Sequence, residues 1–302
     1  MPHLPLSTVF YLSLASMLWA GNAIAGRMLV GSISPISLSA VRWGLAALML
    51  LPLGWRVLRP DSALWHNKTR FLVLGLLGVG SYNALLYLAL QTSTAINVTL
   101  IGASMPIWML LVGAIFYKVK PGLLQLIGAI VSLFGVTIVL TRGELASLLS
   151  MEAVLGDLLI MLATILWAFY SWMISHPGRS TERQWPWAEF LMAQVLIGFL
   201  WTMLFEGVEI AAGHAFIDLN YSTVGLILFV AIGPSLVAYR CWGLGVSESG
   251  PTVAAFFSNL IPLFTALLSA AMLGDPPKLF HGLAFILIVG GIIISAMRSK
   301  RP

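Results

Sequence analysis

Polar and aromatic side chains recur at helical spacing inside the apolar runs of this sequence. In the first run, Ser16, Trp19, Asn22 and Gly26 are three or four residues apart and therefore share one helix face. Binding pockets for small molecules combine apolar and aromatic walls with a few polar groups. The chemistry that these residue types offer is recognition: the rings suit an apolar group, and the amide suits a polar one.

Several other apolar runs carry similar faces, and two interpretations of them are open. Small and polar residues hold helices together in lipid, and Trp and Tyr mark membrane interfaces. Alternatively, these faces line a cavity that binds a substrate. The candidate substrate-binding residues are Trp19, Asn22, Asn83, Tyr87, Asn97, Ser104, Trp108, Trp167, Tyr170, Tyr239, Trp242 and Asn259.

Arg42 is the most deeply placed charge, seven residues into an apolar run that spans residues 35–54. A charged side chain inside a membrane is costly and is a functional hypothesis by default. Two roles are open for Arg42. It either bonds polar groups of neighbouring helices or attracts a substrate carboxylate, and we favour the structural role.

Other chemistries lack their motifs in this sequence. There is no His-Glu-x-x-His and no Gly-x-Ser-x-Gly, so neither an enzyme, a metal nor a cofactor is expected. An integral membrane enzyme remains the alternative from a different class. The basic residues are scattered and form no face for a nucleic acid. An ion channel would require a ring of charges or a filter-like loop, and neither is evident.

The composition places these residues in a lipid bilayer. The chain has 302 residues, of which 59% are hydrophobic and only 9% are charged, whereas soluble domains carry about 25% charged residues. The apolar runs are long and do not alternate, which indicates helices rather than barrel strands. Ten spans are predicted, at residues 8–29, 35–54, 71–90, 95–117, 121–141, 154–175, 187–206, 222–243, 250–273 and 279–297.

Ten spans place both termini on the same side of the membrane, and the distribution of positive charge indicates which side. Arg56, Arg59 and Lys118 are among the many basic residues on the side of the termini, whereas the opposite side holds few. Cytoplasmic loops carry an excess of Lys and Arg. The prediction is therefore that both termini are cytoplasmic.

The second half of the sequence repeats the first. An offset of 156 residues pairs Pro106 with Pro262, Pro121 with Pro277, Gly135 with Gly291 and Arg142 with Arg298. An offset of 148 pairs residues 15–20 with 163–168. We predict an all-α fold of two five-helix repeats, residues 1–148 and 149–302. Because five is odd, the second repeat is inverted, and inverted repeats build many transporters.

Three motifs resemble the ten-helix, EamA-like exporters of the drug/metabolite transporter superfamily. They are the Trp-x-Gly-Asn turn at residues 19–22, the Val41-Arg42-Trp43 segment, and the run from Pro262 to Asp275. The last motif departs from the family pattern, because the family usually has Glu where this chain has Asp275. The equivalent place in the first half, residues 117–119, has no acid.

The resemblance implies a function as well as a fold. It implies a multi-pass transporter of the bacterial inner membrane that exports aromatic and other neutral amino acids by alternating access. No titratable carboxylate lies centrally in a span, which favours a facilitator over a proton-coupled carrier. Nucleosides, sugars or drugs are the alternative substrates. No partner other than the substrate and the bilayer is expected, and a monomer is plausible.

Overall fold

The computed structural model describes residues 4–93, 95–150, 154–176, 184–273 and 278–297. Within these residues the chain is almost entirely helical, and an isolated bridge between Ile33 and Ile217 is the one pairing of β type. Nine helical segments are long and apolar enough to cross a membrane, and a tenth, shorter one comprises Leu100–Phe116. The prediction of an all-α fold with ten spans is confirmed.

The ten spanning helices follow one another along the chain. They are α1 (Leu6–Met28), α2 (Pro35–Gly54), α3 (Lys68–Thr92), α4 (Ala95–Gly102 and Met105–Phe116), α5 (Leu123–Leu140), α6 (Leu155–Ser175), α7 (Trp187–Ala211), α8 (Tyr221–Ser249), α9 (Pro251–Phe257 and Leu260–Leu273) and α10 (Leu279–Ala296).

Equivalent helices of the two repeats make equivalent packing contacts with the opposite repeat. Helix α1 packs on α8 and α9, and its counterpart α6 packs on α3 and α4. Helix α2 packs on α7, and α5 packs on α10. Residues 1–148 and 149–302 are therefore interleaved, because the most extensive helix packing joins one repeat to the other. The exact boundary between the repeats stays a prediction.

Helices α3 and α8 share an irregularity that the sequence did not reveal. Each contains a π-helical segment, Gly75–Ser81 in α3 and Gly233–Val237 in α8. The repeat offset of 156 residues superposes residues 77–81 on 233–237. A π-helical turn rotates the residues that follow it and is frequent at functional sites.

Helices α4 and α9 are each interrupted, whereas the sequence predicted continuous spans. The break follows Gly102 in α4 and Phe257 in α9, and a proline lies near the start of each second segment, at Pro106 and Pro262. Proline has no amide hydrogen to bond the preceding turn, so it is tolerated in the first turn of a helix. A proline in the first turn of each second segment therefore accounts for both interruptions.

A carboxylate from α7 caps the first turn of α2. Ser34 Oγ and the Ser37 amide donate to Glu209 Oε2 at 2.7 and 3.0 Å, and the Ile36 amide donates to Glu209 Oε1 at 3.2 Å. The first amides of a helix have no partner within the helix, and negative charge there is favourable. Glu209 thus fixes α2, which carries Arg42, against the other repeat.

Loss of this cap has a measurable consequence. Glu209→Ala is expected to lower the free energy of unfolding by about 0.5–2 kcal/mol, the usual range for loss of a helix cap. The apparent melting temperature (Tm) of the detergent-purified protein would measure this effect. Glu209→Gln keeps one acceptor oxygen and should fall between the wild type and Glu209→Ala. An unchanged Tm for Glu209→Ala would show that the cap does not stabilise α2.

Candidate functional site

Seven aromatic rings meet where the two repeats face each other. We call them the aromatic cluster, and they come from α1, α2, α3, α6 and α8: Trp19, Trp43, Tyr82, Trp167, Tyr170, Tyr239 and Trp242. Most are buried, whereas Trp19 and Tyr82 are partly exposed. The rings therefore pack against one another between the repeats in this conformation.

Trp167 lies at the centre of the aromatic cluster. The centroid of its ring is 4.9 to 5.8 Å from five other centroids, those of Trp19, Tyr82, Tyr170, Tyr239 and Trp242. Several pairs are edge-to-face, including Trp19 with Trp167 at an interplanar angle of 89°. Such pairs are worth about 0.5–1.5 kcal/mol beyond the area that they bury.

The π-helical segments provide backbone acceptors for this cluster. Trp19 Nε1 donates to the Pro234 carbonyl at 3.2 Å, and the Tyr239 hydroxyl donates to the Gly78 carbonyl. Gly78 and Pro234 are equivalent residues at the repeat offset of 156. A π turn disturbs the regular bonding of its carbonyls, which leaves them available to side chains. The irregularities in α3 and α8 therefore orient two rings of the cluster.

Close approach of a ring to the backbone also requires a glycine in α3. A Cβ atom built on Gly78 would lie 2.5 Å from the Tyr170 ring. Any side chain at residue 78 would displace this ring from its neighbours. The glycine in the π segment thus permits the packing of α6 against α3 at the cluster.

A polar cluster surrounds Arg42 beside the aromatic one. It consists of Asn22, Arg42, Asn83, Tyr87 and Ser235. Arg42 Nη1 donates to Asn22 Oδ1 and Asn83 Oδ1, both at 3.0 Å, and to the Tyr87 hydroxyl oxygen at 3.1 Å. Arg42 Nε donates to Ser235 Oγ at 2.9 Å. One guanidinium thus joins α1, α2, α3 and α8.

The two clusters are continuous. Arg42 Cζ lies 5.0 Å from the centroid of the Trp43 ring, and that ring is 5.1 Å from the ring of Tyr239. A cation above an aromatic face is attracted by the electrons of the ring. The Trp43 ring therefore connects Arg42 to the aromatic cluster.

Some of the predicted residues lie elsewhere. Asn259 is buried between α9 and α5 and donates to Ser132 Oγ at 2.8 Å. Trp108 donates to Ser104 Oγ at 3.0 Å within α4. Neither contact involves a member of the two clusters. The backbone of Asn97 belongs to α4, but its side chain lies outside the described part of the structure.

Three members of the clusters were not among the predicted residues: Trp43, Tyr82 and Ser235. Trp43 and Tyr82 directly adjoin Arg42 and Asn83 in the sequence, but neighbours on a regular helix point about 100° apart. Ser235 and the turn before Tyr82 belong to the π segments. The proximity of Gly75, Gly78 and Gly80 in one apolar run, and of Gly233 and Pro234 in another, was the available signal.

A concave surface of different character lies where α2 ends. It has a volume of about 200 Å³ and is lined by Arg56, Val57, Arg59, Asp61, Ser62, Trp185 and Glu189. Charges of both signs dominate it, and most of these side chains are exposed or partly exposed. Such a lining suits water or polar headgroups better than an apolar ligand.

Comparison with known proteins identifies this architecture. A family model described as EamA-like transporters matches residues 6–141 and matches again at residues 154–297. The chain belongs to the EamA-like transporter family. It is therefore a multi-pass membrane transporter, and the two matches follow the two repeats.

Individual relatives support this membership over nearly the whole chain. The transporter YyaM of Bacillus subtilis is 28% identical over 275 residues, covering 88% of this chain and 86% of the relative. The aromatic amino acid exporter YddG of Ancylobacter novellus is 23% identical over 296 residues, covering 95% and 96%. A solved crystal structure matches with a TM-score of 0.74 at 18% identity, covering 96% and 97%, and shows the same fold.

Proposed function

We propose that this transporter exports aromatic and other neutral amino acids across the bacterial inner membrane. The observation that carries the proposal is the aromatic cluster, which both repeats build together. Ring faces and edges attract an apolar or aromatic side chain. A relative covering almost the whole chain is named an aromatic amino acid exporter, which agrees with this proposal.

Alternating access would operate by separation of the rings. Trp19 of the first repeat touches Trp167 and Trp242 of the second, with centroids 5.4 and 5.3 Å apart. If the repeats tilt relative to each other, these rings separate toward one side of the membrane and then the other. A substrate that inserts its side chain between the separated rings would pack against them in place of the opposing ring.

We further propose that export is facilitated diffusion. Among the described residues, no carboxylate belongs to either cluster, and Glu209 lies close to the end of its helix. Carriers that couple transport to protons commonly use an acidic or histidine side chain within the membrane. The direction of net flux would then follow the substrate gradient, which is outward in a cell that accumulates amino acids.

The test is flux through purified protein in liposomes. Labelled phenylalanine and threonine are loaded inside, and their efflux is measured with and without a pH gradient. We expect efflux of phenylalanine at a rate that the pH gradient leaves unchanged. Efflux of uridine or a sugar but of neither amino acid would contradict the proposed substrate class, and proton movement in fixed ratio to substrate would contradict facilitation.

A further inference from the structure

The charge of Arg42 has neutral partners on every side that the structure describes. Its hydrogen bonds end on two amide oxygens, a phenol oxygen and a hydroxyl oxygen, and the side chain is 0% exposed. A buried charge is costly unless an opposite charge accompanies it. Inside a membrane the penalty is larger, and such a residue is retained chiefly for function. An anion that arrives with a ligand would supply the missing charge.

The two amides beside Arg42 can serve either a cation or an anion. Both Asn22 and Asn83 direct Oδ1 at Arg42, at 3.0 Å. Neither Nδ2 donates a hydrogen bond to any residue that the structure describes. In an asparagine side chain, the acceptor oxygen and the NH₂ group with its two donor hydrogens exchange places when the amide rotates about the Cβ–Cγ bond. Rotation about that bond would turn each asparagine from an acceptor for Arg42 into a donor for an anion.

The position of Arg42 matches the shape of an amino acid. Trp43 connects it to Tyr239 and hence to the aromatic cluster. In an α-amino acid, the carboxylate and the side chain are attached to the same carbon. A substrate with its side chain among the rings would therefore have its carboxylate near Arg42. Arginine is especially suited to a carboxylate, because its planar fork can donate two parallel hydrogen bonds.

We propose that Arg42, Asn22 and Asn83 bind the α-carboxylate of the substrate. This inference rests on the proposed function and names the group by which that function selects its substrates. In the substrate-free state, the asparagine oxygens hold the guanidinium. When the carboxylate arrives, it replaces them, and the amides rotate to donate. The transporter then requires a carboxylate and rejects the corresponding amines.

A near-isosteric variant separates this role from a purely structural one. Arg42→Gln would remove a side chain that four others bond, so loss of folding would be uninformative. Asn83→Asp instead keeps an acceptor oxygen beside Arg42 and adds a fixed negative charge. The fixed carboxylate satisfies Arg42, which preserves or raises the Tm, and it repels a substrate carboxylate. We expect flux of phenylalanine to fall about tenfold or more.

The control variant has the same change from Asn to Asp, but at the start of α8 and outside the polar cluster. Asn220 caps the first turn of α8 by accepting from the Thr223 amide at 2.9 Å, and Asp is an equally good cap. Asn220→Asp should leave both flux and Tm close to those of the wild type. Wild-type flux in Asn83→Asp, at equal insertion, would overturn the carboxylate site and leave Arg42 a structural role.

Ligand analogues test the same site without transport. The Tm of the wild type is measured with 3-phenylpropionate, which lacks the amino group, and with phenethylamine, which lacks the carboxylate. We expect 3-phenylpropionate to raise the Tm of the wild type but not of Asn83→Asp, and phenethylamine to raise neither. Equal stabilisation by phenethylamine would overturn the inference. Stabilisation by 3-phenylpropionate without any amino-acid flux would instead retain the carboxylate site and refute the proposed function.

Discussion

Trp167→Ala is expected to carry phenylalanine about tenfold more slowly than the wild type while still inserting into the membrane. The side chain of Trp167 touches five other rings, so its removal takes away the centre of the proposed binding surface. A substrate ring packed against Trp167 would gain about 0.5–1.5 kcal/mol beyond the area that it buries, so loss of that pair is enough for a change of this size. Flux per mole of reconstituted protein measures the effect.

The matched control for Trp167→Ala is the same substitution on the surface. Trp65 lies in the connection between α2 and α3, is 44% exposed, and has no ring contact with the aromatic cluster. Trp65→Ala should transport at the wild-type rate. If Trp167→Ala also transports at that rate, with equal amounts inserted, the aromatic cluster is a packing feature and the substrate binds elsewhere.

Gly291→Ala is expected to destabilise the protein strongly, because α5 and α10 touch backbone to backbone. A Cβ atom on Gly291 would lie 2.7 Å from the Gly128 carbonyl oxygen, and one on Gly128 would lie 2.6 Å from the Gly291 carbonyl oxygen. Backbone atoms cannot move aside as a flexible side chain can, so the helices must separate. Overpacking of this kind costs about 1–3 kcal/mol. The Tm in detergent measures the loss of stability.

The neighbouring residue offers a closely matched control for this substitution. Beyond its chain neighbours and the nearby backbone of its own helix, a Cβ atom on Gly290 would meet no atom of the described residues within 4 Å. Gly290→Ala should therefore keep the wild-type Tm or raise it slightly, since alanine favours a helix more than glycine does. Equal Tm values for the two variants would show that α5 and α10 do not depend on close backbone contact.

The sequence was sufficient to predict the spans and the repeats, because long apolar runs and a constant offset between the halves can be read directly from it. Runs of about 20 apolar residues have few alternatives to a membrane helix. The offset of 156 residues that pairs Gly135 with Gly291 identified two residues that lie in the α5–α10 interface. Helix α8 nevertheless extends to Ser249, beyond the predicted end at 243. Glu248 accepts from Thr8 of α1, so polar residues continue this helix past its apolar part.

The candidate site was only partly predictable because it depends on departures from regular helices. The shared face of Trp19 and Asn22, and its counterpart at Trp167, were visible as periodic residues, and the structure places Trp19 against Trp167. The role of Ser235 was not visible, because its orientation depends on a π segment. Hydrophobic periodicity assumes about 100° for each residue, so one π turn invalidates the assignment of faces beyond it.

Arg42 shows a further limit of sequence reasoning. A charge within an apolar run was recognisable at once, but its partners lie in three other helices and up to 193 residues away. An arginine that only bonds neighbouring helices and an arginine that anchors a ligand look the same in the sequence. The neutral acceptors that surround Arg42 in the structure are the observation that motivates the proposed anion partner, because a buried charge without an opposite charge is costly.

The location of a bound substrate is the measurement that decides most directly between a binding site and a packed core. Crystals of the transporter grown with 4-bromophenylalanine would give an anomalous signal at the bromine atom. We expect the bromine among Trp19, Trp167 and Tyr239, with the carboxylate of the ligand at Arg42. A bromine peak outside the aromatic cluster, for example in the charged concave surface beside Arg56 and Glu189, would contradict the proposed site.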